Sequence, residues 1–219
     1  MKNYGTPENQ TTSRILLITC ATALVVALAA ALPQAAHGDR LRPPSVPANI
    51  DVPAGNKAFL KGHAIGTQNY SCLPSASGFA WTLFGPQATL FNDDAKQVIT
   101  HFLSPNPVES GLPRATWQHS RDTSAVWAMA IASSSDPNFV APGAIPWLLL
   151  RVVGSQYGPD WGHKLTATTF IHRLNTVGGI APSTGCALST DVGKKALVPY
   201  VADYFFYEGV DNDDDRYSM

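Results

Sequence analysis

The chain has 219 residues and a net charge of −1; 45% of it is hydrophobic and only 14% charged. That length suits one ordinary domain with a substantial core. The near-neutral balance excludes the basic footprint that nucleic-acid binding requires, and a polybasic membrane patch with it.

The N-terminal segment addresses the compartment. Lys2 and Arg14 precede an uncharged apolar run over 15–32, then Pro33 and the small-x-small triplet Ala36-His37-Gly38. This pattern predicts a signal peptide over 1–38, cleaved after Gly38, and so a secreted or periplasmic protein with no membrane attachment after cleavage. The rival reading is an uncleaved anchor, because the run approaches the ~18 residues that begin to suggest a span. Beyond the segment only Cys72 and Cys186 remain. An even pair in an oxidising compartment predicts one disulfide.

Residues 39–56 are Pro-rich, lack an apolar period and read as an extended leader. From 57 to 208 short apolar or alternating runs are punctuated by Gly, Pro, Asn and Asp at strand-like intervals. Strands are predicted over 58–73, 79–85, 88–92, 97–104, 115–121, 124–133, 145–155, 165–176 and 197–208. Near the C-terminus Tyr200, Ala202, Tyr204 and Phe206 alternate with Val201, Asp203, Phe205 and Tyr207. No stretch keeps a 3.6-residue period for three capped turns. The fold class is therefore all-β: an antiparallel meander of roughly eight or nine strands forming a sandwich or a barrel. Residues 209–219 form an acidic, flexible tail.

No motif spells out a reaction. Asp211, Asp213 and Asp215 start like a calcium loop, but Arg216 occupies the place of the turn Gly and no distal Glu follows. His63, His101, His119, His163 and His172 form no HxH, HxxxH or HExxH, so no metal site is predicted. There is no GxSxG elbow, and Ser155 lacks the strand-to-helix setting that a nucleophile of that kind needs. Asp122 and Asp160 could act as a carboxylate pair only if the fold brought them together. Trp81, Trp117, Trp127, Trp147 and Trp161 could stack on sugar rings, although a core role is the more economical reading. No cofactor is implied.

The stretch IHRLNTVGGIAPSTGC, residues 171–186, reads as a strand, a Gly178-Gly179 turn at positive φ, and an exit that carries Cys186 towards Cys72. Gln68 and Tyr70 share one strand face at period two, as do Arg173 and Asn175, and the expected disulfide draws the two segments together. An amide, a phenol, a guanidinium and a second amide suit a glycan or a small acidic ligand. The alternative is structural: Arg173 and its neighbours would satisfy backbone carbonyls near the Gly-Gly turn.

A wider set of residues carries a resemblance: Gly66-x-Gln68-x-Tyr70-x-Cys72, Trp81, Pro86-x-Ala88-x-Leu90, His101-Phe102, 144–149, Ile171-x-Arg173-x-Asn175-Thr176-x-Gly178-Gly179, Cys186, and Val198-Pro199-Tyr200 through Tyr207. In these the chain resembles an exported family of fungi and bacteria, domain of unknown function 3455. Where that family has Asp-Gly-Ser, this chain has Asp122-Thr123-Ser124. The resemblance supplies no activity. Some fungal members bear the label malate dehydrogenase, but this sequence lacks the strand-GxGxxG-helix fingerprint and the α/β alternation of such an enzyme. The reading that follows is a secreted or periplasmic, non-catalytic binding or surface module; the alternative is an extracytoplasmic hydrolase whose site assembles only in the fold.

Overall fold

A computed structural model describes Met1 and residues 41–210. The expected signal peptide and nearly all of the acidic tail lie outside the described residues. Eight antiparallel strands follow one another: β1 (Asn56–Ser75), β2 (Gly78–Phe91), β3 (Gln97–Asn106), β4 (Leu112–His119), β5 (Ala125–Ser134), β6 (Trp147–Gln156), β7 (Thr168–Gly178) and β8 (Lys195–Gly209). Each pairs with the next, and β8 returns to β1, so the sheet closes as a barrel.

Nine predicted runs become eight strands because Gly85-Pro86 does not end the second one. β2 passes through both residues, and the register slips opposite them, between Asn69 and Tyr70. Proline's missing N–H costs nothing there: β2 meets β3 only from Gln87 to Phe91, so Pro86 has no ladder bond to lose on that side.

Side-chain size explains how the ring closes. Along the β1–β8 ladder Gly62 faces Tyr204, Ala64 faces Ala202 and Gly66 faces Tyr200. Large rings on one strand lie over small residues on the other, an alternation that fills a narrow barrel. Glycine is obligatory at 66, where a Cβ would stand 2.2 Å from the Gln87 carbonyl oxygen.

The half of the barrel near the N-terminus of β1 is packed solid by Leu90, Ile99, Val126, Leu165, Ile171 and Phe206, all but inaccessible. Its end is shut by two loops clamped on Asp122. That carboxylate accepts the Lys164 amide at 2.7 Å and the Ser124 hydroxyl at 2.7 Å, and the Ser124 oxygen in turn accepts the Leu165 amide. Gly158 and Gly162 press on the Asp122 carbonyl, where a Cβ would come within 1.9 Å.

A second apolar cluster lies outside the barrel. Trp147, Leu149, Leu174, Phe205 and Tyr207 are buried there under Ile50, Val140 and Ala144. The stretch expected as an extended leader is docked on the barrel: Ile50 is fully buried, and Leu41, Val46 and Val52 pack beside it. Its carbonyl at Ile50 takes the Nε2–H of His172 at 2.6 Å, while His172 Nδ1 accepts the Tyr207 hydroxyl at 2.9 Å.

The expected disulfide is present. Cys72 in β1 is bonded to Cys186 in the loop before β8, with Cα atoms 5.5 Å apart. Trp81 fixes the same loop by donating its indole N–H to the Thr184 carbonyl at 2.8 Å. Asp191 organises the rest of it, accepting the amides of Ala187 and Leu188 and the Lys194 ammonium.

Candidate functional site

The half of the barrel that carries the disulfide is not filled. A cavity of about 330 Å³ occupies it, lined at its polar end by Gln68, His101, Trp117, Arg173 and Tyr204. These side chains come from β1, β3, β4, β7 and β8, so the site exists only once the ring is closed. Below this polar floor lies the packed core.

Arg173 projects into the barrel from β7, and one guanidinium N–H donates to the Pro146 carbonyl at 2.8 Å. Its buried Nε has no partner among the described residues, and neither do Gln68 Nε2 nor Trp117 Nε1. Gln68 is 2% exposed and Trp117 1%. Unpaired donors at such depth are costly, at roughly 1–3 kcal/mol each, unless a ligand or water meets them. Gln68, Trp117 and Arg173 thus border one space, and no carboxylate lines it among the described residues.

The other titratable groups of the site are held neutral. Burial, with the Arg173 charge adding to it, drives the His101 imidazole down to about 3 against the opposing hydrogen bond to Thr116. Its Nδ1–H donates to the Thr116 carbonyl at 2.8 Å, and the ring stacks on Trp117 with centroids 4.1 Å apart. Burial raises the Tyr204 and Tyr200 phenols, whose oxygens lie 3.3 Å apart. The second cation of the lining, Arg114, is neutralised by a bidentate pair with Glu109 at 2.8 and 2.7 Å. Arg173 thus leaves an uncompensated positive charge over a floor of neutral polar groups, a setting that favours an anion.

The four residues expected to share a ligand face separate in the structure. Gln68 and Arg173 line the cavity. Tyr70 is buried beside it, but its hydroxyl is committed to the Gly179 carbonyl at 2.7 Å. Asn175 points away: a bulge between Leu174 and Val177 breaks the period of two, and Asn175 adopts a left-handed φ of 51°. Its amide then reaches Asp203 on the outer surface at 2.8 Å. Gly178 and Gly179 do take the expected positive φ, at 69° and 83°.

His101, Trp117 and Tyr204 stand outside the four residues expected to share a ligand face, although Trp117 was among the tryptophans offered as stacking platforms. Tyr204 was accessible from the alternation of its strand, which sets it on one face with Tyr200 and Phe206. The other two carry no local signal. Of the tryptophans offered as sugar platforms, Trp117, Trp127 and Trp147 are buried, Trp81 is bonded to its neighbouring loop, and Trp161 stands 80% exposed at the shut end.

The cavity lining reaches the place where the β4–β5 ladder stops. β4 and β5 pair only from Ala115↔Ala128 to Gln118↔Ala125. Past Ala115 and Ala128 the two strands part, and Arg114, Met129 and Ala130 line the opening between them.

No curated protein and no solved structure matches the chain. A protein family does, across residues 53–208, from just before β1 almost to its last residues in β8. The chain belongs to the family described as Protein of unknown function (DUF3455).

Proposed function

We propose that this protein is a secreted or periplasmic binding module whose barrel cavity holds a small acidic ligand. The observation that carries the reading is the Arg173 guanidinium, lining together with Gln68 a cavity that no carboxylate lines among the described residues. Arg173 is part-buried, and a charge partly withdrawn from water is stabilised by a counterion, which a ligand carboxylate supplies here. At about 330 Å³ the space lies at the small end of ligand pockets, which run from roughly 300 to 1,000 Å³. The Cys72–Cys186 bridge agrees with an oxidising compartment. No helix among the described residues is long and apolar enough to cross a membrane.

The test compares wild type with Arg173→Ala in thermal unfolding, with and without a panel of small organic acids at millimolar concentration. Acids that raise the wild-type midpoint should leave the variant's midpoint unmoved, because a ligand that binds only the folded state stabilises it by mass action. If Arg173→Ala is destabilised and no acid shifts the wild type, the guanidinium serves only the Pro146 carbonyl and the reading falls.

A further inference from the structure

We infer that the ligand is an amphipathic monocarboxylic acid, its carboxylate held by Arg173 and Gln68 and its apolar body lying along the wall towards the β4–β5 opening. This rests on the preceding reading of Arg173 as the anion partner, and adds what the rest of the cavity requires. Above the polar floor the wall is apolar: Pro86, Ala115, Ala128, Ala130, Leu148 and Leu150. A sugar acid would bring hydroxyl groups against these residues, leaving them without partners.

With Leu83, Pro113 and Met129 the apolar side chains of the wall number nine, and three are alanines, on the neighbouring strands β4 and β5. The same barrel a few residues lower is filled by Leu90, Ile99, Ile171 and Phe206. Natural interiors rarely leave such space empty, since each missing contact costs stability. Small residues around the void therefore make room for something. One uncompensated cation sets the ligand's charge at a single carboxylate. The volume of about 330 Å³, at the small end of ligand pockets, calls for a small ligand. A straight-chain or aryl-alkyl acid of that size meets all three requirements.

Entry is lateral. The β4–β5 ladder ends at Ala115↔Ala128, and the residues just past it on both strands line the cavity. An acid that enters there head first meets Arg173 across the barrel while its tail stays against the alanines.

The experiment titrates full-length oxidised protein with octanoate, 3-phenylpropanoate, glucuronate and 1-octanol, using calorimetry and the fluorescence of Trp117, which lines the cavity. Octanoate or 3-phenylpropanoate should bind at least tenfold more tightly than glucuronate and 1-octanol. Ala128→Leu, which fills the wall without touching Arg173, should weaken octanoate at least tenfold. Ala115→Leu repeats the test from β4 should that variant fail to fold. Glucuronate binding as tightly as octanoate, or octanoate binding unaffected by both fillings, overturns the apolar-body assignment while the anion reading stands. Octanol binding as tightly as octanoate, with Arg173→Ala indifferent to both, overturns the anion reading itself. No binding by any of the four overturns both.

Discussion

Thr123 occupies a backbone position that glycine would fill at no steric cost. Its φ is 55°, in the left-handed region, where a β-branched side chain is a genuine outlier. The strain sits in the Asp122 clamp, where the Thr123 hydroxyl donates to the Asp122 carbonyl at 2.8 Å. Thr123→Gly relieves the backbone but loses that bond and loosens the unfolded chain. The steric relief is the larger effect, so the variant should gain about 0.5–1 kcal/mol in urea unfolding; a loss of stability would show that the hydroxyl outweighs the strain. The turn between β4 and β5 was legible in the sequence, whereas its conformation was not. Arg173 and Asn175 teach the same lesson in reverse. Two residues at period two read as neighbours on a face, and a bulge that sets three residue steps of β7 against two of β8, invisible to composition, parts them. A side chain's partner can be anticipated from alternation only while the ladder stays regular.

Among the elements, the docked segment ahead of β1 adds a contact that composition does not carry. Proline richness and the lack of period gave correct notice that residues 41–52 form neither helix nor strand beyond one short 3-10 turn, Ala48–Ile50. They could not tell that the outer faces of β6, β7 and β8 need covering. That need is written in Trp147, Leu149, Phe205 and Tyr207, which are apolar on the face opposite the barrel interior. A strand apolar on both faces is a strand covered on both. Ile50 is the anchor, with no exposed surface. Ile50→Ala should therefore cost about 2–5 kcal/mol, measured by denaturant unfolding of the oxidised protein. A change within ~0.5 kcal/mol, the usual effect at a surface site, would mean that the segment is dispensable. The strands themselves were readable because alternation and turn residues are local signals. Sandwich against barrel was not, because closure depends on β8 meeting β1 across the whole domain.

For the molecule as a whole, buried histidines set the response to acid. His101 and His172 both have imidazoles driven down mainly by burial, so the unfolded chain binds protons that the folded one refuses. Their contribution is complete above the ordinary value near 6.5 and is lost as the pH falls below it, for His101 progressively towards about 3. The slope for each is on the order of 1.4 kcal/mol per pH unit while it stays neutral only in the fold. His63 runs the other way: Asp93 and Asp203 raise it, so its contribution is present at low pH and fades as the pH rises through its raised value. Glu109, Asp122 and Asp191, each held down at about 2, lose theirs only below the ordinary carboxylate range. Between about 6.5 and 4.5 the histidines dominate. Urea midpoints should fall steadily over that interval and fall less steeply in His101→Gln; a flat profile in the wild type would contradict the assignment. The covalent link has a consequence for assembly. Cys72 lies in the first strand and Cys186 just ahead of the last, so the bond encloses every strand from β2 to β7. A chain emerging from its N-terminus cannot make this bond until six strands have followed Cys72. In the closed ring the bond ties the first strand to the approach of the last, and a thiol-trapping series taken during folding would date oxidation against the moment at which the cavity comes into being.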